Sequence, residues 1–103
     1  MGQPHNPQTL GGVNLSVAKR ELARRFSATR EALRLTRTEL CRQAGISRSA
    51  WSNWEHARNT PSIEGAIKIA RSFDLSLDWI YLGDLRGVST ERANRLRAAH
   101  QMA

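Results

Sequence analysis

The run from Arg37 to Glu55, RTELCRQAGISRSAWSNWE, limits what this chain can fold into more than any other stretch. Two helical patterns meet inside it, with room between them for only a tight turn. Thr36 can cap the first helix, and Glu39 stands three residues on, so Thr36-x-x-Glu39 reads as a capping box. Leu40, Cys41 and Ala44 then share one face at helical spacing. Gly45 supplies the positive φ of a turn, Ile46 is an apolar plug, and Ser47 caps a second helix, Arg48 to Glu55.

Two short helices joined by a three- to four-residue turn containing Gly make a helix-turn-helix. In that motif the second helix enters the major groove of DNA, and its N-terminal residues meet base edges. The charge agrees. The chain carries 16 Lys and Arg against 9 Asp and Glu, a net charge of +7. Residues 1–16 hold none of it. Residues 17–35 carry six basic and two acidic groups, and residues 36–60 carry four and two. Residues 61–83 are slightly acidic, and residues 84–103 again carry four basic and two acidic groups. A basic front half and tail are the footprint of a polyanion binder.

In chain order, residues 1–16 (MGQPHNPQTLGGVNLS) are Gly-, Pro-, Asn- and Gln-rich and are expected to be a flexible leader. With neither Arg nor Lys, the leader lacks what minor-groove arms use. A first helix is expected from near Ser16 to about Leu33, with Ala18, Leu22, Phe26, Thr29 and Leu33 forming its stripe. Arg20, Arg24, Arg25 and Arg34 lie off that stripe, as solvated charges or phosphate contacts. After the central pair, His56–Pro61 is a polar connection. Ser62 caps a fourth helix through Phe73, with Ile63, Ala66, Ile67, Ala70 and Phe73 apolar. Ser76 caps a short fifth helix carrying Leu77, Trp79, Ile80 and Leu82, stopped by Gly83. From Ser89, residues Ala93, Leu96, Ala99 and Met102 mark one side of a weak sixth helix that packs on the domain, dimerises or frays. Trp54 and Trp79 are expected in the core, with part of Trp51 reaching the surface. No segment alternates with period two, so no sheet is expected.

Leu35-Thr36-Arg37-Thr38-Glu39-Leu40, Gly45-Ile46-Ser47-Arg48-Ser49, Trp54-Glu55, Thr60-Pro61-Ser62 and Leu75-Ser76-Leu77-Asp78-Trp79 closing on Gly83 form an ordered series. Taken together, they resemble the lambda-repressor-like, Cro/XRE-type helix-turn-helix family. The resemblance spans about Leu22 to Asp84. It implies an all-α fold: a five-helix DNA-binding domain over residues 17–84, usually dimeric and acting on transcription. The leader 1–16 and the tail 85–103, the latter with its extra helix, flank it.

Carried over residue by residue, the resemblance places base reading at Arg48, Ser49 and Asn53, with Ser52 as a fourth candidate. Arg can grip guanine O6 and N7 as a fork, and Asn can grip adenine N6 and N7. Phosphate contact is the alternative for Arg48 and Ser49. Backbone phosphates would be held by Arg37 and Thr38 at the start of the second helix, and by Arg58, Asn59 and Thr60 in the loop after the third. Arg37 stands where the family usually has Gln, keeping the donor and adding charge. Arg30 and Glu55 occupy positions that commonly pair, a structural role. The family often has Gly where this chain has Arg34, Ala57 and Asp74.

These features favour a sequence-specific regulator, more in the manner of a repressor than an activator, that reads a pseudo-palindromic site in double-stranded DNA as a homodimer. The competing function is an antitoxin-type or other partner-binding module that represses its own operon, with the leader and basic tail as the partner segment. An enzyme is not expected, because His5, His56 and His100 are scattered and no nucleophile–base constellation or glycine-rich phosphate loop is present. No catalytic residue, cofactor or metal is expected. A single cysteine makes no internal disulfide and is too few for a metal site; Cys41 reads as a small core residue. Neither a signal peptide nor a membrane span is recognisable. The expected setting is the cytoplasm, for a bacterial or phage-encoded protein on the nucleoid when bound.

Overall fold

The computed structural model describes residues 9–10 and 13–102. Among them lie six helices: α1 (Leu15–Leu33), α2 (Arg37–Ala44), α3 (Arg48–Glu55), α4 (Ile63–Phe73), α5 (Leu77–Leu82) and α6 (Thr90–Met102). The all-α class holds, with one small addition. Strand β1 (Thr9–Leu10) pairs antiparallel with β2 (Val13–Asn14), Thr9 opposite Asn14 and Leu10 opposite Val13. Two residues per strand are too few to display an alternating pattern, which is why the sequence does not announce it. The remainder of the expected leader, residues 1–8, 11 and 12, lies outside the described residues.

Side-chain caps set the helix starts. α1 begins at Leu15 rather than Ser16, because Asn14 Oδ1 accepts from the Ser16 and Val17 backbone N–H groups at 3.0 and 3.2 Å. Thr36 Oγ1 accepts from Glu39 N at 3.1 Å while Thr36 N donates back to the Glu39 carboxylate at 3.1 Å, completing the capping box. Ser47, Ser62 and Ser76 cap α3, α4 and α5 in the same way. Four helices stop at left-handed residues. Gly45 and Gly83 serve α2 and α5, but Arg34 (φ 57°) and Asp74 (φ 53°) end α1 and α4 without a glycine. Ala57, in the loop after α3, adopts φ 60°. The three positions where the resemblance expects Gly therefore do take the glycine conformation, each at a cost of about 1–2 kcal/mol for an L-residue.

The core is built on aromatic rings. Phe26 of α1 meets Trp51 edge-on at 5.2 Å between centroids and Trp54 at 5.8 Å. Around them close Leu22, Leu40, Ile69, Trp79, Ile80 and Leu96. Trp51 is 0% exposed, so no part of it reaches the surface of α3. Its indole N–H has an acceptor on the inside, and this permits full burial. The inner face of α4 also differs from expectation: Ile63 is exposed, while Ile69 is buried and Gly65 packs inward. At Gly65 a Cβ would stand 2.5 Å from the tip of the Trp54 ring, so α4 can approach α3 only with glycine there. In α5, Trp79 and Ile80 make the burial, while Leu77 and Leu82 stay exposed.

Of the three fates open to the tail, packing on the domain is the one observed. α6 lies along α1, burying Ala93 and Leu96 and half-burying Ala99, with Met102 left exposed. Arg92 Nη1 donates to the Phe73 carbonyl at the end of α4. His100 packs edge-on against Trp79 at 5.8 Å. No helix among the described residues is long and apolar enough to cross a membrane.

Candidate nucleic-acid interface

Three anchors fix the orientation of α3. Gly45 (φ 71°) turns the chain out of α2, and half-buried Ile46 plugs the corner. Trp51 and Trp54 then bind the inner face of α3 to the core. The third anchor is Glu55, whose side chain is 3% exposed. Its Oε1 accepts from Arg30 Nε (3.1 Å), Arg30 Nη2 (3.0 Å) and Ser27 Oγ (3.1 Å). Its Oε2 accepts from Arg37 Nε (2.7 Å) and Trp51 Nε1 (2.9 Å). One carboxylate thus ties α1, the start of α2 and α3 together. Burial alone would raise the pKa of Glu55, but the hydrogen bonds from Arg37 and Arg30 and their two charges outweigh it and hold the group below the usual carboxylate range.

The expected Arg30–Glu55 pair is present, and Arg37 joins it. Arg37 therefore bridges to α3 itself. Its side chain remains 46% exposed, and only its Nε is engaged among the described residues, so both Nη groups are left with donors to offer. Thr38 beside it is exposed. Thr36 satisfies the N–H of Glu39, leaving those of Arg37 and Thr38 without acceptors among the described residues. Those free N–H groups and the positive end of the helix make an anion-attracting corner.

On the outer side of α3, Arg48 and Ser49 are exposed in the first turn, and Ser52 and Asn53 are half-buried one turn on. Ser52 Oγ lies 3.3 Å from His56 Nδ1, which also contacts the Ser52 carbonyl at 2.8 Å. Ser52 is thus drawn toward the C-terminal end of α3. The following loop is fastened by its backbone: Asn53 O accepts from Arg58 N at 2.8 Å and Asn59 N at 3.3 Å. Pro61 is buried, and Arg58, Asn59 and Thr60 point outward. Ser49 and Asn53 share an open groove of about 590 Å³ with Asn59, Thr60 and Ser62. Lys19 of α1 lines the same groove. No sequence signal singles it out, since it reads as one more charge on a basic helix.

The arginines off the α1 stripe do not behave alike. Arg25 is buried, and it donates from Nε to Ile80 O and from Nη2 to Tyr81 O, both at 3.0 Å, closing the C-terminal end of α5. Burial lowers its pKa, opposed by the charge of Glu21. Arg25 is therefore no phosphate contact. Its position off the stripe misled because a guanidinium can enter a core wherever helix-end carbonyls receive it. Arg24 and Arg20 remain exposed. Cys41 is buried with its thiol pushed up by desolvation, as a core residue should be.

A family model described as helix-turn-helix matches residues 27–80, from the middle of α1 into α5. No curated protein and no solved structure matches the chain. The match covers just over half of the 103 residues and contains α2, the turn, α3 and the Glu55 partners Ser27, Arg30 and Arg37. The chain belongs to the lambda-repressor-like, Cro/C1-type helix-turn-helix family of DNA-binding transcriptional regulators, a family that is not typically enzymatic.

Proposed function

We propose that this regulator is a repressor that, as a homodimer, reads a pseudo-palindromic operator by laying α3 in the major groove. One observation carries the proposal. The inner face of α3 is locked by Trp51, Trp54 and Glu55, while Ser49 and Asn53 front an open groove bounded by the fastened loop and Arg48 stands exposed in the same first turn of the helix. A rigid helix with adaptable polar side chains at its outer N-terminal end suits base reading. In this assignment Arg48 takes guanine, Asn53 takes adenine, and Ser49 and Ser52 add weaker contacts. Arg37 and Thr38 hold one phosphate stretch through side chains and the α2 N-terminus, and Arg58, Asn59 and Thr60 hold another. Arg30 and Glu55 keep the reading helix in place without touching DNA. The dimer would engage two half-sites about one helical turn apart. Such a protein works in the compartment that holds the DNA, the cytoplasm of a bacterial cell.

The test is selection of bound duplexes from a random pool, followed by sequencing. A short two-fold-symmetric site is the expected product. A single half-site would remove the dimer from the proposal. Absence of enrichment by folded protein would overturn operator reading and favour the partner-binding, antitoxin-type function. On the selected site, Arg48→Ala or Asn53→Ala should relax preference at one base-pair position at a cost of about 1–3 kcal/mol, whereas Arg37→Ala should weaken all sequences alike.

A further inference from the structure

The geometry points to Lys19 as a phosphate-binding residue that makes the start of α1 a third wall of the DNA interface. This assignment rests on the major-groove function proposed above, and it adds a contact from outside the matched family segment, which begins at residue 27. Lys19 lies in the first turns of α1, whose start is set by the Asn14 cap. It lines the groove that also holds Ser49 and Asn53 of α3 and Asn59 and Thr60 of the following loop. Those neighbours are all neutral, so among the described residues the Lys19 ammonium is the one cation on the groove wall. It is half-buried and makes neither a hydrogen bond nor an ion pair among the described residues, while nearby Glu21 is engaged by Arg24 and Arg25. A lysine without an anion, held beside amide and hydroxyl groups that can bind a phosphate oxygen, supplies the charge those groups lack. Lysine contacts phosphate as a point charge on a flexible stem, which suits backbone contact rather than base reading.

The experiment measures the affinity of the full chain for its selected duplex and for a scrambled duplex, across a range of salt, with Lys19→Gln and Lys19→Arg beside the wild type. The expected result is that Lys19→Gln loses roughly tenfold on both duplexes and lowers the magnitude of the log–log salt slope by about one, while Lys19→Arg restores both. Melting temperatures equal to wild type would show that the loss is not one of folding. If the wild type binds and Lys19→Gln keeps its affinity and slope, Lys19 is no phosphate contact. If Lys19→Gln loses affinity for the selected duplex only, it reads sequence and the assignment to the backbone is wrong. If the wild type binds neither duplex, the proposed function fails and takes this assignment with it.

Discussion

Replacing Glu55 by alanine tests the central claim about how α3 is held. The wild-type carboxylate receives five donors from four side chains. Among the described residues, alanine leaves Arg30 with only the Leu35 carbonyl at 3.3 Å, and leaves the Trp51 indole N–H buried without an acceptor. Removing one partner of a buried ion pair costs about 3–5 kcal/mol, and orphaning a buried donor costs about 1–3 kcal/mol. The two overlap, because the same carboxylate serves both. Half-exposed Arg37 is re-solvated and adds little. The sum is about 4 kcal/mol, a large part of the roughly 5–15 kcal/mol that stabilises a domain. At about 4–8 °C per kcal/mol, Tm should fall by about 15–30 °C. Thermal unfolding followed by far-ultraviolet circular dichroism reads this directly. Glu55→Gln, which keeps the volume and one acceptor but not the charge, should fall between. A Glu55→Ala Tm within about 3 °C of wild type would refute the reasoning. The same group sets an acid limb. Its folded pKa lies below the ordinary 4.5, so its contribution is present above 4.5 and is lost as pH falls through the lower folded value. Glu55→Gln should flatten that limb.

Gly65→Ala gains about 1 kcal/mol of helix propensity but sets a methyl 2.5 Å from the Trp54 ring tip. With overpacking at about 1–3 kcal/mol, the net effect should be a lower Tm and an altered tryptophan emission, and a raised Tm would contradict the packing. Ala57→Gly relieves a left-handed alanine (φ 60°). It should stabilise by about 0.5–1 kcal/mol after the entropy that glycine adds to the unfolded chain, and a loss in denaturant melts would count against the turn geometry. His100 carries a buried Nε2 with no partner among the described residues. Its pKa is lowered from 6.5 first by burial and then by Arg24 and Arg25, with Glu21 opposing. The unfolded chain takes that proton more readily, so stability should be full above about 6.5 and decline as pH falls toward the folded value. Tm measured from pH 8 to pH 5 (about three units spanning the transition) should show the decline, and His100→Phe should lack it; an equal decline in the variant would clear His100 of the role.

Much of this architecture is legible in the sequence because it is encoded over three or four residues. The Thr36–Glu39 box and the Ser47, Ser62 and Ser76 caps each act within one helical turn, and each forms as spacing predicts. The placement of the candidate residues at the start of α3 follows from those caps. What the sequence does not reveal acts across long separations. Arg25 looks like a surface charge until Ile80 and Tyr81, more than fifty residues away, present their carbonyls. Gly65 looks like a weak point in a helix until Trp54 fills the space where its side chain would be. Trp51 looks too large for its position until Glu55, one turn on, accepts its N–H. Lys19 looks like its neighbours until α3 and the loop fold up to it.

Several cations among the described residues donate to carbonyls at helix ends, Lys68 from an exposed position. Arg25 closes α5, Arg92 closes α4, and Lys68 Nζ reaches the Gly45 carbonyl at the end of α2 at 3.3 Å. Carbonyl dipoles hold these side chains but do not neutralise them, so the net charge of +7 still projects outward. Diffusional capture of a polyanion responds to that whole field. Counterion release responds only to cations that touch phosphate. The two quantities therefore separate here. Encounter with DNA should be faster than the count of phosphate contacts suggests, while the lifetime of the bound state should depend on salt less steeply than the composition suggests. On the proposed function, a regulator built in this way would arrive quickly at any duplex and stay only where α3 finds its bases.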